Sequence, residues 1–393
     1  MKIAVIGGGP SGLYFSLIAK KRFPEFDIRV YEQTPADATY GFGVVLADGG
    51  LQNLKQVDAD SATDIIDALH WTTQQRFVHR GETVVFEKQR PGGAIERLRL
   101  LNILQEHCAR AGVVCEFNHR IETLADIPEA DLVIGADGSN SVVRKCLEAE
   151  FGTVTRSLTN RWSWYGTDFA FETSCLNFRE ITGGALVAHF YPYAPDRSTF
   201  VLECDEHTWF NSGMDSMDDE ERRVFTQKFY ADELRGRDVI SKRSVWRPFG
   251  FTTNARWYVG KHVLIGDSFR TAHFSIGSGT RLALEDSIAL FHSLERHQSN
   301  VPDMLEDYVA TRKPVREKLA GAAEKSFTWY EGFRLRMQEF DPIEFAENFV
   351  LRTGRITPER LRSEFPGLTQ RLDERRGRSA GATQGPSNSA ARG

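Results

Sequence analysis

Three short stretches carry residue types whose order could build a nucleotide site. The first, "GGGPSG", puts Gly7, Gly9 and Gly12 in GxGxxG register around Pro10 and Ser11. The first glycine permits a tight turn, the second lets a pyrophosphate approach the backbone, and the third lets helix and strand pack closely. The helix start that follows offers N–H donors and a positive partial charge to phosphates. Glu32, with Gln33 beside it, ends the next apolar run, where a carboxylate can accept hydrogen bonds from ribose hydroxyls. The second stretch, "DLVIGADGSNSVVR", leads a buried run into Ala136, Asp137 and Gly138, with Arg144 further on. The third, "GDSFRTAHFSIGSGTRLALED", sets Asp267 at a strand tip, where it can hold a sugar-alcohol hydroxyl. Gly277, Ser278, Gly279 and Thr280 then open a helix whose dipole would favour negative charge. Between these flanks stand an imidazole, His273, and a phenyl ring, Phe274.

The elements that must position these residues follow from periodicity. "KIAVIG", "FDIRVYE", "ADLVIGADG" and "HVLIGDS" read as buried strands, and "SGLYFSLIAKKRF" and residues 98–111 as helices. Strand, turn, helix and strand form a βαβ unit at the start. Long alternating runs between 161 and 251 predict an antiparallel sheet. The expected organisation is a discontinuous nucleotide domain, 1–160 and 252–300, with a smaller substrate-side insertion near 40–95. A sheet domain (161–251), a helical region (301–371) and a disordered tail from 372 to 393, where apolar residues run out, complete it.

The 393 residues carry a formal charge of -5, which argues against a general nucleic-acid surface. Five scattered cysteines lack CxxC spacing, so no metal site is expected and a reducing cytoplasm is. No run of 18 apolar residues occurs, and neither a signal peptide nor a membrane partner is expected.

GxGxxG, then DG, then GD, in this order, resemble the single-component FAD-dependent aromatic monooxygenases of the para-hydroxybenzoate hydroxylase type, over residues 1 to about 330. The resemblance implies an α/β chain: a Rossmann-like FAD-binding fold with an inserted antiparallel-sheet substrate domain and C-terminal helices. It places Asp267 on the flavin ribityl chain, and Asp137 and Arg144 by FAD and the nicotinamide nucleotide. "AIERLRLLNILQ" resembles the family segment that sets Arg97 and Gln105 near the pyrophosphate. In "GFGVV", Val45 is assigned to the cofactor, and Phe42 and Val44 to the substrate. "TYGFGVVLAD", "WSWYGTDFAF", "ALVAHFYPY" and "TAHFSIGSGTRLALED" are similar to the branch that hydroxylates aryl-CoA thioesters. The chain departs from the wider family at Arg270, where many members have His, and at His273-Phe274, where they have a Pro pair.

The implied activity uses FAD, NADH or NADPH as transient electron donor, and O₂. Reduced flavin activates O₂ at C4a, and one oxygen goes to an electron-rich ring carbon. An aromatic CoA thioester is the expected partner, with salicylyl-CoA going to gentisyl-CoA. Alternatives are 2-aminobenzoyl-CoA, an indole-derived metabolite, a free aromatic acid, or a flavoprotein that does not hydroxylate. A neutral imidazole would suit the phenol proton, and His273 and His189 are the catalytic candidates. His273 can equally be a loop residue bonded to backbone. Tyr191 and Tyr193 share a strand face and are substrate candidates along with Phe274. Arginines between 352 and 362 read as a solvated helix face.

Overall fold

The computed structural model describes residues 1–242 and 244–382. Lys2–Ile6 and Leu132–Gly135 lie side by side in parallel at the centre of a six-stranded sheet. Both are buried on both faces, which is why their sequences are continuously apolar rather than alternating. In spatial order the strands are Tyr258–Val259, His262–Leu264, Leu132–Gly135, Lys2–Ile6, Asp27–Tyr31 and Val114–Glu116, parallel except for the first pair. The chain crosses to opposite sides of Lys2–Ile6, so a crevice opens at the carboxyl ends of the central strands. The first helix (Pro10–Arg22) and the helices Arg97–Ala111 and Gly279–His297 pack on this sheet.

The second sheet has eight strands in the order Arg247–Asn254, Thr153–Thr167, Arg197–Cys204, Gly184–Ala194, Ser174–Ile181, His70–His79, Glu82–Glu96 and Gly43–Ala47. The stretch near 40–95, expected as a separate smaller insertion, supplies three of these strands. They join the rest through a parallel pairing of His70–His79 with Ser174–Ile181. The sheet also begins at Thr153 rather than near 161. Long-range pairing of two insertions decided this, and alternation within either cannot reveal it.

Side-chain alternation gives this sheet two different faces. Leu186, Ala188 and Phe190 point into a core with Tyr165, Phe200 and Trp246. Val187, on the other face, packs with Phe77 and Phe178 against Trp329, Phe345 and Phe349 of the C-terminal helices. His189 and Tyr191 continue that second face toward the nucleotide domain, and the Tyr191 hydroxyl donates to the Gly43 carbonyl at 2.8 Å.

The long helix Val301–Glu331 leads into the C-terminal helices. The tail expected to be disordered from residue 372 is instead helical over Pro366–Ala382. Leu368 and Leu372, four residues apart, form one apolar stripe that docks on the aromatic cluster, and Arg371 donates to the Thr83 carbonyl at 2.8 Å. Residues 383–393 of that expected tail lie outside the described residues. Among the described residues no helix is long and apolar enough to cross a membrane.

Candidate active site

Gly7, Gly9 and Gly12 have three distinct physical reasons. Gly7 has φ +108°, and a Cβ there would press into the Ala136 carbonyl. A Cβ on Gly12 would collide with the Gly7 carbonyl oxygen. A Cβ on Gly9 would meet only the Ala136 carbonyl oxygen, in ordinary contact at 3.9 Å, so the protein itself does not obstruct this face. Pro10 opens the first helix, and the Ser11 carbonyl accepts from Ser287 at 2.8 Å, tying this turn to the later helix. Glu32 accepts from the Gly8 N–H at 2.7 Å and from the Thr34 N–H and hydroxyl at 2.8 Å each. The Gln33 side chain is exposed beside it.

The second and third motifs are stitched to the same place. Ser268 donates to the Gly135 carbonyl and Arg144 to the Ser268 carbonyl at 2.9 Å and the Ser139 carbonyl at 2.5 Å. Arg144, expected at the ligand, is therefore a buried tie between two turns: carbonyls that no strand or helix satisfies take its donors. Asp137 accepts from the Val142 N–H at 2.6 Å, Gly138 (φ +74°) turns the chain beside it, and burial raises the pKa of the carboxyl. Asp267 is accessible yet walled in by protein, and this desolvation raises its pKa, with Arg316 and Arg97 pulling the other way. Burial lowers the Arg97 pKa, and the charges of Asp267 and Glu32 oppose this. Arg97 Nε donates to the Thr39 hydroxyl at 3.1 Å. Gln105, expected by the pyrophosphate, donates to the Ala36 carbonyl at 3.2 Å and so braces the loop above.

These positions fit a bound dinucleotide. Gly9 leaves the room, and the buried Asp137 Oδ1 has no partner among the described residues. The helices Pro10–Arg22 and Gly279–His297 begin without side-chain caps, so their first N–H groups are available to a ligand. The FAD binding domain family profile matches residues 1–323. The chain belongs to the FAD-dependent aromatic monooxygenases. It is 33% identical over 373 residues to a salicyloyl-CoA 5-hydroxylase of Streptomyces sp, covering 90% of this chain and 70% of the relative. A 3-hydroxy-4-methyl-anthranilyl-[aryl-carrier protein] 5-monooxygenase of Streptosporangium sibiricum is 35% identical over 369 residues, covering 93% and 98%. The fold matches 2-methyl-3-hydroxypyridine-5-carboxylic acid oxygenase at TM-score 0.69 and 20% identity, covering 92% of this chain and 96% of the other. Klebsiella pneumoniae HpxO complexed with FAD and uric acid matches at TM-score 0.72 and 18% identity, covering 90% and 95%. As a member of this family the monooxygenase uses FAD, O₂ and a reduced nicotinamide donor.

On the substrate side of this monooxygenase the structure redistributes roles. His273 is 2% exposed, its Nδ1 accepts from the Ser275 N–H at 3.2 Å, and its ring packs on Phe249 and Phe274. Burial alone pushes its pKa down to about 3. A base poised near neutrality is the opposite of this, so His273 caps and shapes its turn. Phe274 remains half-exposed against Trp162, with ring centroids 4.9 Å apart. Phe42, Val44 and Tyr193 are buried: Phe42 lies edge-on to Trp164, Val44 joins the nucleotide-domain core, and Tyr193 covers Gly43. Val45 packs in the small cluster with Phe42 and Tyr193. Tyr191 and His189 are half-buried neighbours, with ring centroids 5.4 Å apart. Gly277 (φ +57°), Ser278, Gly279 and Thr280 form the helix entry as expected.

Several groups escaped sequence reading. Asp286, fully buried, accepts from the Gly266 N–H at 3.0 Å, from Arg312 at 2.8 Å, and pairs with Arg316 at 3.3 Å. This network fixes the backbone beside Asp267. The i,i+4 arginines of "TRKPVRE" were its legible signal. Arg352, expected on a solvated face, stacks over Phe349 at 3.7 Å and donates to the Ser275 carbonyl at 3.1 Å. Glu203, 2% exposed, accepts from Asn160 at 2.7 Å and has its pKa raised by burial to about 8. Nothing in its local sequence marks it.

Proposed function

We propose that this monooxygenase hydroxylates the ring of an aryl-CoA thioester, with salicylyl-CoA giving gentisyl-CoA. The observation that carries this reading is the pair of relatives at 33% and 35% identity whose names both specify an aromatic thioester and attack at position 5. When bound and reduced, FAD supplies an electrophilic oxygen from O₂. The chain's own part is positioning. Asp267 is the assigned acceptor for ribityl hydroxyls, and the uncapped start of Gly279–His297 would favour negative charge on the reduced ring. Phe274 and Trp162 supply an aromatic wall that excludes water.

Position 5 of a salicylyl ring is para to its hydroxyl, so drawing the phenol proton away enriches the attacked carbon. With His273 held neutral, His189 is the imidazole assigned to that proton, next to Tyr191 on the same face of a central strand. The test is stopped-flow absorbance of flavin reduction by NADH and by NADPH with salicylyl-CoA, free salicylate and an indole. Acceleration by salicylyl-CoA, with product equal to nicotinamide consumed, is expected. Acceleration by free salicylate or the indole alone would sink the thioester assignment. A second reading, a carrier-tethered anthranilyl thioester, is favoured by the 98% coverage of the carrier-dependent relative.

A further inference from the structure

A groove of about 590 Å³ runs between the helices Gly279–His297 and Val301–Glu331, outside the dinucleotide crevice. Its lining includes Arg281, Glu285, His292, Arg312, Lys318 and Arg355. The one acid among these six is already engaged: Glu285 meets Arg281 at 3.3 Å and Arg312 at 3.1 Å. Lys318 and Arg355 are exposed and, among the described residues, have no carboxylate partner. Arg281 Nε is buried with no hydrogen-bond partner among the described residues. The groove thus presents cations that the fold itself leaves unneutralised, beside an apolar stretch that includes Val315 and Leu319.

Its position relates it to the reaction. Arg281 lies in the first turn of the Gly279–His297 helix, whose start faces the cofactor site. At the near end, Arg355 follows Arg352 by three residues, and Arg352 donates to the Ser275 carbonyl in the turn that walls the cleft. Arg312 and Arg316 of the antiparallel neighbouring helix meet Leu282, Glu285 and Asp286, so Lys318 lies with Arg281 and Arg355 at the end of the groove nearest that turn. A ligand whose aromatic head lies at the wall and whose extended arm leaves the cleft past this turn would bring a phosphorylated end to these cations.

We propose that this groove binds the nucleotide end of the CoA thioester, its phosphates on Lys318, Arg355 and Arg281. The inference rests on the thioester reading above, but it is tested separately. The holoenzyme and a Lys318→Glu/Arg355→Glu variant are compared by calorimetry with 3′,5′-ADP and with 4′-phosphopantetheine as probes. Flavin content serves as the check on folding. Wild-type enzyme should bind 3′,5′-ADP, more weakly as salt rises, and the variant should lose on the order of tenfold in affinity. In turnover, the KM for salicylyl-CoA should rise by a similar factor relative to the KM for the N-acetylcysteamine thioester, which carries no phosphate.

Binding of 4′-phosphopantetheine without 3′,5′-ADP would overturn the proposal in favour of a carrier protein. A variant whose KM rises for NADH or NADPH instead of the thioester would overturn it in favour of the nicotinamide nucleotide. If 3′,5′-ADP binds in the groove but salicylyl-CoA is not hydroxylated, the groove assignment stands and the substrate assignment falls. If salicylyl-CoA is hydroxylated with the same KM in both enzymes, the substrate assignment stands and the groove assignment falls.

Discussion

The dinucleotide cradle and the sheet that faces it each bury a carboxylate, and the two are paired differently. In the cradle Asp286 sits between Arg312 and Arg316, and Arg144 is consumed by two carbonyls, while Asp137 Oδ1 nearby has no partner among the described residues. Across the cleft, Glu203 has an amide but no cation, and the indole nitrogens of Trp162 and Trp164 are buried without partners among the described residues. A site that holds one permanent cofactor gains from rigidity, and matched buried charges and backbone contacts supply it. On the sheet side Glu203 is held by burial and one amide instead of by a cation, so the two regions should answer pH differently.

Substitutions on each side of the cleft put this contrast to the test. Asp286→Asn leaves buried Arg316 without its carboxylate and Arg312 with Glu285 alone, and should cost about 3–5 kcal/mol, read as a loss in urea midpoint. If it costs less than about 1 kcal/mol, the cradle does not depend on matched charge. Gly12→Ala, whose methyl meets the Gly7 carbonyl, should cost about 3 kcal/mol by the same measurement.

Glu203 and His273 make opposite pH predictions. The folded-state pKa of Glu203, about 8, is above its ordinary value of 4.5, so its neutral form favours the fold at low pH. That contribution is lost as pH rises toward 8, at about 1.4 kcal/mol per pH unit inside the window. Glu203→Gln should therefore flatten a fall of roughly 2.5 kcal/mol between about pH 5.5 and 7.5 and be the more stable protein at the upper end. The His273 pKa is depressed to about 3 from 6.5, so the unfolded chain binds the extra proton as pH falls below 6.5. Wild-type stability should drop by about 2 kcal/mol from roughly pH 6.5 to 5, and His273→Asn, which keeps an acceptor for the Ser275 N–H, should remove that drop. The same variant should leave the pH profile of kcat in place. A shifted profile would return His273 to proton transfer.

The smallest stability change belongs to Gly9→Ala. It should cost under about 1 kcal/mol while weakening FAD retention, since its side chain enters ligand space rather than protein. Equal stability losses at Gly9 and Gly12 would contradict that division.

Much of the cradle was legible because its requirements are local. A glycine that must avoid the next carbonyl, an acid that ends a strand and a helix that starts without a cap are all visible within a few residues. The sheet was legible as a type and not as an arrangement. Alternation in "GALVAHFYPY" predicts a strand with two faces, but it does not say that His70–His79 will pair in parallel with Ser174–Ile181. "TAHFS" suits chemistry and packing equally as a string; burial among Phe249, Phe274 and Phe327 favours packing.

By itself the sequence determined the nucleotide-binding order of motifs, the residue type at each turn and the two kinds of sheet, because steric limits and periodicity act over short spans. Only the tertiary structure decided which charged groups face ligand and which face protein. Arg144, Arg352 and Arg355 are the same residue type, and nothing in their neighbours in sequence distinguishes them. Two are enclosed by carbonyls and rings, and one is left open on a groove. The reason is physical: a guanidinium's role depends on what desolvates it and what accepts its hydrogen bonds, and both come from segments distant in the chain.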